Sequence, residues 1–399
     1  MRYCFDEKID RRGTKSLKYD FAKERGKSED VLPLWVADMD FRTAPEILER
    51  LEQAVHHGIF GYSEAKQDYT DAVCRWYRKQ FGWEAQTEWL VRTPGVVFAL
   101  AAAIRAFTEE GDAVLLQQPV YYPFSEVIVD NNRKLVNNPL RLENGHYEID
   151  FEDFERKIRE NQVKLFLLCS PHNPVGRVWR EWELKKIGEI CLKHGVLVVS
   201  DEIHSDFVYS GYTHRMFASL SPEFEQISVT CTAPTKTFNL AGLQISNIFI
   251  PNESLRKKFV HAIAAAGYSQ VGLMGLVACQ AAYEEGETWL LELKRYLEDN
   301  LAFVREFLKK YLPQIRLIEP EGTYLIWLDF RALSLGEAEL EELIVKKAHL
   351  WLDSGAMFGP DGEGFERINI ACPRATLEQA MEQLRLACSG PDSGTVKGN

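Results

Sequence analysis

Three short apolar runs, each followed within a few residues by a polar side chain, constrain the fold of this chain more than any other feature of its sequence. The runs and the polar residues after them are KLFLLCS (164–170) with Asn173, GVLVVS (195–200) with Asp201, and 227–229 with Lys236. Runs of this kind are typical of strands buried on both faces. Ligands of open α/β sheets bind outside the carboxyl ends of such strands. We therefore expect Asn173, Asp201 and Lys236 to meet at one crevice.

The segments around these runs alternate between strand and helix patterns. The apolar spacing predicts helices over 45–55, 69–81, 96–107 and 181–195, the last with Gly195 as its C-cap. Strands are predicted over 113–119, 135–140, 164–169, 196–200, 226–231 and 246–250. This alternation indicates an α/β fold with a mostly parallel sheet and helices on both faces.

The pattern changes after about residue 285, which predicts a second domain. A long amphipathic helix over 287–312 stops at Pro313, and 323–330 and 365–372 read as two short strands. We expect four segments with different roles. They are an N-terminal arm that joins the small domain (1–45), a large cofactor-binding domain (46–285), a small C-terminal α/β domain (286–389) and a disordered tail rich in Gly, Ser and Pro (390–399).

Charge and cysteine usage restrict the partners and the compartment. With 47 basic against 59 acidic residues the net charge is -12, which disfavours nucleic acid and anionic membrane surfaces as ligands. The charged N-terminus lacks an export-signal pattern, and polar residues interrupt the low-charge stretch 261–283, which therefore suits a buried or interface helix pair better than a membrane span. The eight scattered cysteines indicate reduced, mostly buried thiols in the cytoplasm.

Two of the polar residues need a partner that the chain does not supply nearby. A carboxylate such as Asp201 at the end of an apolar strand is costly to bury unless a positive or protonated group meets it, and a protonated pyridine nitrogen would do so. Lys236 becomes a nucleophile and base at neutral pH when its amine is desolvated or held as an imine. A pyridine aldehyde would supply both the protonated nitrogen for Asp201 and the carbonyl group that forms an imine with Lys236.

Neighbouring residues fit the rest of such a cofactor. The amide of Asn173 can donate to a ring oxygen, and the Tyr121 ring can lie against the ring plane. A phosphate fits the start of the helix at Gly95, Val96 and Val97, where free backbone amides and the helix dipole favour an anion. Tyr62 adds a hydroxyl, which we expect from a neighbouring subunit. Pyridoxal 5′-phosphate (PLP) is the predicted cofactor, and no metal is expected.

Motifs along almost the whole chain, roughly residues 1–389, carry a family resemblance. In order these are TPGVV, PVYYPF, SPHNPVG, DEIHSD, APTKTFNLAGLQ and RINIACPR. Together they resemble the fold-type I PLP enzymes of the aspartate aminotransferase superfamily. The segment LWVADMDF (34–41), His204 and Gln244 resemble its branch of cystathionine β-lyases, also called cysteine-S-conjugate β-lyases. The resemblance implies a mostly parallel seven-stranded sheet in the large domain and a homodimer with shared active sites.

The resemblance also implies a role for each matching residue. Lys236 would be the Schiff-base lysine, Asp201 the partner of the pyridine nitrogen, Asn173 the ligand of the ring hydroxyl, and Tyr121 the stacking ring. Arg367 would bind the α-carboxylate of an amino acid, with Arg374 ranked second. We also expect Thr235 and His204 to contact the cofactor, and Ala37, Asn173 and Tyr122 to contact the substrate.

Three positions depart from the common aminotransferase pattern. His204 stands where a tyrosine is usual, Gln244 where many members have a phosphate-binding arginine, and Ala233 where a phosphate-binding serine is common. With these changes, Thr232, Thr235 and the Gly95 loop are expected to carry more of the phosphate charge.

The predicted reaction is a β-elimination that converts L-cystathionine or another cysteine thioether to a thiol, pyruvate and ammonia, within methionine biosynthesis and cysteine metabolism. Two alternatives remain open from the sequence. The same residues can serve an aminotransferase, which returns the proton to the cofactor. A regulatory role through contact with a transcription regulator, with secondary lyase activity, is the other alternative, because some members of the branch act in that way.

Overall fold

The computed structural model describes residues 2–389, so the predicted disordered tail (390–399) lies outside the described residues. Its strands, numbered in chain order, are β1 Leu32–Pro33, β2 Leu90–Thr93, β3 Ala113–Leu116, β4 Lys134–Asn137, β5 Arg141–Glu143, β6 His146–Glu148, β7 Leu165–Cys169, β8 Leu197–Asp201, β9 Ser228–Thr232, β10 Ser246–Phe249, β11 Arg316–Ile318, β12 Leu325–Asp329, β13 Leu350–Trp351, β14 Asp353–Ser354 and β15 Phe365–Asn369. Its α-helices are α1 Pro45–His57, α2 Gln67–Phe81, α3 Val96–Phe107, α4 Pro123–Val129, α5 Phe151–Asn161, α6 Glu181–His194, α7 Pro222–Gln226, α8 Pro234–Thr237, α9 Glu253–Ala265, α10 Leu273–Glu285, α11 Glu287–Tyr311, α12 Glu337–Glu341 and α13 Arg374–Ser389.

A seven-stranded sheet forms the centre of the molecule. Its strand order is β2-β10-β9-β8-β7-β3-β4. The pairs within β9-β8-β7-β3-β4 are parallel, whereas β10 is antiparallel to both β9 and β2. The predicted α/β class with a mostly parallel seven-stranded sheet is therefore confirmed.

Alternating side chains of β7 enter two different cores, which explains why this strand is apolar throughout. In β7, Phe166 and Leu168 pack in one core together with Ile187 of α6. Leu165 and Leu167 point to the opposite face and pack with Leu100 of α3. Because both faces of β7 are covered by helices, the polar residue Asn173 lies beyond the end of the strand.

The predicted helices of the large domain are present with small shifts in their ends. Helix α3 has the predicted bounds, and α6 ends with Gly195 in a left-handed conformation at φ 67°, as expected of a glycine C-cap. The stretch 261–283 contains the end of α9 and most of α10, with a break between them at 266–272. No helix within residues 2–389 is both long and apolar enough to cross a membrane.

Strand bounds differ more from the predictions. The strand predicted over 113–119 ends at Leu116, three residues before Pro119, and the strand predicted over 135–140 covers Lys134–Asn137 and ends two residues before Pro139. Neither proline has the N–H that a ladder requires, so neither strand can extend through it. Strand β2 was not predicted, since Arg92 interrupts its apolar pattern at the edge of the sheet. The third difference is the direction of β10, which periodicity does not encode.

A second sheet, of order β11-β12-β15-β14, lies after the long helix α11. All its pairs are antiparallel. It has four strands where two were predicted, because β11 and β14 are too short for an apolar pattern. The N-terminal segment meets this part of the chain through β1, which pairs in parallel with β13. The boundaries at 45, 285 and 389 stay predictions.

The expected burial of most cysteines is confirmed. Within residues 2–389 no disulfide forms, and six of the eight thiols are buried.

Candidate active site

The carboxyl ends of the central strands open on a cavity of about 200 Å³. Asp201 is the last residue of β8, Asn173 follows β7 by four residues, and Lys236 follows β9 by four. Ten residues predicted for the site line this cavity, namely Ala37, Gly95, Val96, Val97, Tyr121, Asn173, Asp201, His204, Thr235 and Lys236. The convergence follows from parallel pairing, which brings the carboxyl ends of neighbouring strands to one edge.

Lys236 is the basic group of the cavity. Its Nζ donates a hydrogen bond to the carbonyl oxygen of Ala37 at 2.8 Å. Burial lowers the pKa of its ammonium to about 8; the charge of Arg367 lowers it further, while Asp38 and Asp201 oppose the shift. A larger fraction of neutral amine is therefore present near pH 7 than for an ordinary lysine, which favours nucleophilic and proton-transfer chemistry.

Asp201 is a buried carboxylate that forms no ion pair within residues 2–389. Its Oδ1 accepts a hydrogen bond from the backbone N–H of Ile203 at 3.1 Å. Burial raises the pKa of the carboxyl to about 7, and the neighbouring charge of Glu202 adds to the rise, against the amide of Ile203 and the charge of Lys236. Such a group fits the protonated nitrogen of a pyridine ring, which would compensate its charge.

The start of α3, which borders the same cavity, suits an anion. Gly95 precedes the helix, and no side chain caps the first backbone amides. A Cβ at Gly95 would meet no atom within 4 Å, so the approach to these amides is open. The amides of Val96 and Val97 and the hydroxyl of Thr235 border the same cavity and suit a phosphate. Within residues 2–389, no group of three or more His, Cys, Asp or Glu side chains forms a metal site.

Asn173 links the cavity to Arg367. Its backbone carbonyl accepts from the amide of Tyr121 at 3.0 Å, and its Oδ1 accepts from Arg367 Nη1 at 3.0 Å. Arg367 is buried, donates to the Trp35 carbonyl at 2.8 Å and pairs with Asp353. Its Nε has no partner within the described residues. The Nε–H of the guanidinium is therefore available to a ligand, although Arg367 does not line the cavity itself.

Two other predicted residues lie off the cavity lining. Tyr122 is half-buried and packs 5.1 Å from the Tyr121 ring. Tyr62 is 97% exposed in the loop between α1 and α2 and contacts no part of the cavity within this chain. Its predicted role in a neighbouring subunit stays a prediction.

The two threonines expected to share the phosphate charge are separated. Thr235 lines the cavity, whereas Thr232 is fully buried and donates from its hydroxyl to the Asn247 carbonyl at 2.7 Å. The expectation for Thr232 was wrong, because its side chain is committed to the neighbouring strand β10. Gln244 lies on a second cavity, described below, and not on the one with Gly95.

His204 is enclosed beside Lys236. The ring is buried, its Nδ1 has no hydrogen-bond partner within the described residues, and it meets the Tyr324 ring edge to face at 5.8 Å. Burial, with added repulsion from the cations Lys236 and Arg367, lowers the pKa of the imidazole to about 3. His204 is thus neutral at pH 7 and retains a free polar atom toward a ligand.

Sequence reasoning missed two residues that position the lysine segment. The Tyr324 hydroxyl donates to the Ala37 carbonyl at 3.0 Å, the same oxygen that accepts from Lys236. Asn239 holds the segment 39–41 by one accepted and two donated hydrogen bonds to its backbone, each of 2.9 Å. Asn239 could have been predicted from the sequence, because it lies three residues after Lys236. Tyr324 could not, because it lies far from Lys236 along the chain.

Comparisons with known proteins agree with this geometry. The sequence profile described as aminotransferase class I and II matches residues 29–384. The chain is 47% identical to cystathionine beta-lyase PatB of Bacillus subtilis (strain 168), over 96% of this chain and 100% of that protein. Among solved structures, cystalysin from Treponema denticola, which contains PLP, is 39% identical with a TM-score of 0.94 and covers 98% of this chain and 99% of its own. The PLP-bound C–S lyase from Staphylococcus hominis is 35% identical with a TM-score of 0.91, covering 96% and 98%.

Proposed function

Because this chain belongs to the aminotransferase class I and II family, we propose that it is a PLP-dependent carbon–sulfur β-lyase. It cleaves L-cystathionine or another L-cysteine S-conjugate to a thiol, pyruvate and ammonia. The near full-length similarity to a protein named cystathionine beta-lyase carries this proposal. The similarity to two PLP-containing structures supports the cofactor.

The cavity residues suit PLP in four places. Lys236 would hold the aldehyde carbon, Asp201 the ring nitrogen, and Asn173 the ring oxygen, with Tyr121 against the ring face. The amides at the start of α3 would hold the phosphate. When bound, PLP supplies an aldehyde that condenses with the substrate amine and a protonated ring that accepts electron density from Cα.

The protein residues then bind the amino acid and move its protons. Arg367, through the Nε that has no partner among residues 2–389, binds the α-carboxylate and so fixes the substrate. The neutral amine of Lys236 takes the proton from Cα. The Cβ–S bond breaks, the thiolate leaves with the bonding electron pair, and the ammonium of Lys236 returns a proton to it. The amine of Lys236 then displaces the product nitrogen, and the released 2-aminoacrylate takes up water and gives pyruvate and ammonia.

Incubation of the holoenzyme with L-cystathionine, without any keto acid, tests the proposal. We expect equal amounts of pyruvate, ammonia and homocysteine, and no turnover in Lys236→Ala. Strict dependence on 2-oxoglutarate would replace the lyase assignment with an aminotransferase. Turnover that persists in Lys236→Ala would refute the role of the lysine.

We further propose a homodimer that works in the cytoplasm, in methionine and cysteine metabolism. Exposed apolar side chains in and beside the loop after α1, namely Val55, Ile59, Phe60 and Tyr62, support a subunit contact there. The absence of disulfides within residues 2–389 is in keeping with a reducing compartment. Sedimentation velocity distinguishes a dimer of this 45.8 kDa chain from a monomer.

A further inference from the structure

A second, larger cavity adjoins the first at Lys236. Its volume is about 660 Å³, and Lys236 and Ala241 line both cavities. Its walls come from the N-terminal arm, the segment 36–42 and the loop after Lys236. The smaller cavity, at about 200 Å³, is below the roughly 300–1,000 Å³ typical of small-molecule sites. With a cofactor there, the outer part of a long substrate must extend into the larger cavity.

The carboxylates of the larger cavity already have partners. Arg11 contacts Asp38 Oδ2 at 2.6 Å and Asp40 Oδ1 at 2.8 Å. Asp40 also accepts from Lys18 Nζ at 2.8 Å and from the Tyr19 hydroxyl at 3.1 Å. Asp38 and Asp40 therefore bind cations of the N-terminal arm, and these contacts hold the arm against the segment that carries Ala37.

Two cationic side chains of the same cavity, Lys15 and Arg42, lack strong ion pairs within residues 2–389. Lys15 is exposed and has no ion-pair partner among residues 2–389. Arg42 reaches only Glu7, at 3.4 Å, in a pair whose side chains are 63% and 51% exposed, and such pairs are weak. Although the chain as a whole carries a net charge of -12, the outer cavity presents uncompensated positive charge.

We propose that Lys15 and Arg42 select cysteine thioethers whose group beyond the sulfur carries a carboxylate. This inference rests on the proposed lyase function and deepens it. A substrate whose α-amino group lies at Lys236 can place the substituent beyond its sulfur in the outer cavity, because the two cavities meet at this lysine. A distal carboxylate then meets Lys15 and Arg42, while a distal ammonium finds no free acid among Asp38 and Asp40.

A matched substrate pair tests the selection in the holoenzyme. S-(2-carboxyethyl)-L-cysteine and its amide, S-(2-carbamoylethyl)-L-cysteine, have nearly the same shape and differ in one charge. We expect kcat/KM, followed as pyruvate release, to be about fivefold higher for the acid at low ionic strength, and the ratio to fall in high salt. Lys15→Gln and Arg42→Gln should each lower the ratio. Lys23→Gln, an equal charge change on the arm outside the cavity, should keep it.

Equal efficiencies for acid and amide in the wild type, or an unchanged ratio in both variants, would overturn the inference. Calorimetry with L-2-aminopimelate, the analogue in which a methylene replaces sulfur, measures the same preference without turnover. We expect this diacid to bind more tightly than its distal amide, and Lys15→Gln to reduce the difference. Failure of the lyase function is distinguishable, because no thioether would then release pyruvate whatever its charge.

Discussion

Replacement of Asp201 by Asn should change stability in opposite directions without and with cofactor. In the apoprotein, burial raises the carboxyl pKa from 3.8 to about 7. The folded state keeps its full stability below pH 3.8, where the carboxyl is protonated, and this stability is lost as the pH rises through 7. The loss in the free energy of unfolding is about 4 kcal/mol at pH 7 and about 2 kcal/mol at pH 5. An Asn side chain removes this loss and keeps an oxygen for the Ile203 amide. Apo Asp201→Asn should therefore be more stable than the wild type, by about 2–4 kcal/mol at pH 7 and less at pH 5.

In the holoenzyme the same change removes the partner of the ring nitrogen, so cofactor affinity should fall at least about tenfold. Urea unfolding of both apoproteins at pH 5 and 7, with a PLP titration, measures the two effects. Glu202→Gln is the matched control, since that buried carboxylate accepts from His214 at 2.7 Å, Ser200 at 2.8 Å and the Phe217 amide at 3.1 Å, and its change should destabilise. An apo Asp201→Asn protein less stable than wild type at pH 7, or a difference independent of pH, would show that the folded protein does not raise the pKa of the Asp201 carboxyl.

Two further predictions concern the lysine and the arginine. The rate of PLP uptake by apoprotein should rise with pH up to about 8 and then level off, because burial lowers the Lys236 pKa to about 8 and only the neutral amine reacts; absorbance followed from pH 6 to 10 measures this, and a rate still rising at pH 10 would contradict it. Arg367→Lys keeps the charge but loses the fork that holds Asn173 and a carboxylate. We expect the KM of this variant for thioethers to rise about tenfold or more, and the KM of the control Lys23→Gln to stay at the wild-type value. An unchanged KM in Arg367→Lys would show that Arg367 only pairs with Asp353.

The sequence was most informative where burial dictates residue type. Strands β7 and β8 are covered on both faces, so their apolar runs predicted both the strands and the polar residues after them. Strand β2 escaped prediction because an edge strand tolerates Arg92. The short strands β11 and β14 escaped because they hold three and two residues.

The candidate site could likewise be predicted only where the buried parallel strands dictate which residues meet. Lys236, Asp201 and Asn173 were predictable because parallel strands deliver them to one edge. The committed hydroxyl of Thr232 and the contact of Tyr324 with Ala37 depend on packing between distant segments, which periodicity does not encode. The outer cavity was not predictable for the same reason, since it exists only because the arm folds against the segment 36–42.

Reductive trapping identifies the lysine that binds the cofactor. Purified protein reconstituted with PLP is treated with borohydride and digested, and the modified peptide is identified by mass spectrometry. We expect one reduced cofactor per chain, attached to the Lys236 side chain in the peptide TAPTKTFNLAG. Attachment to a different lysine, or a protein that stays colourless and unlabelled after reconstitution, would contradict this prediction.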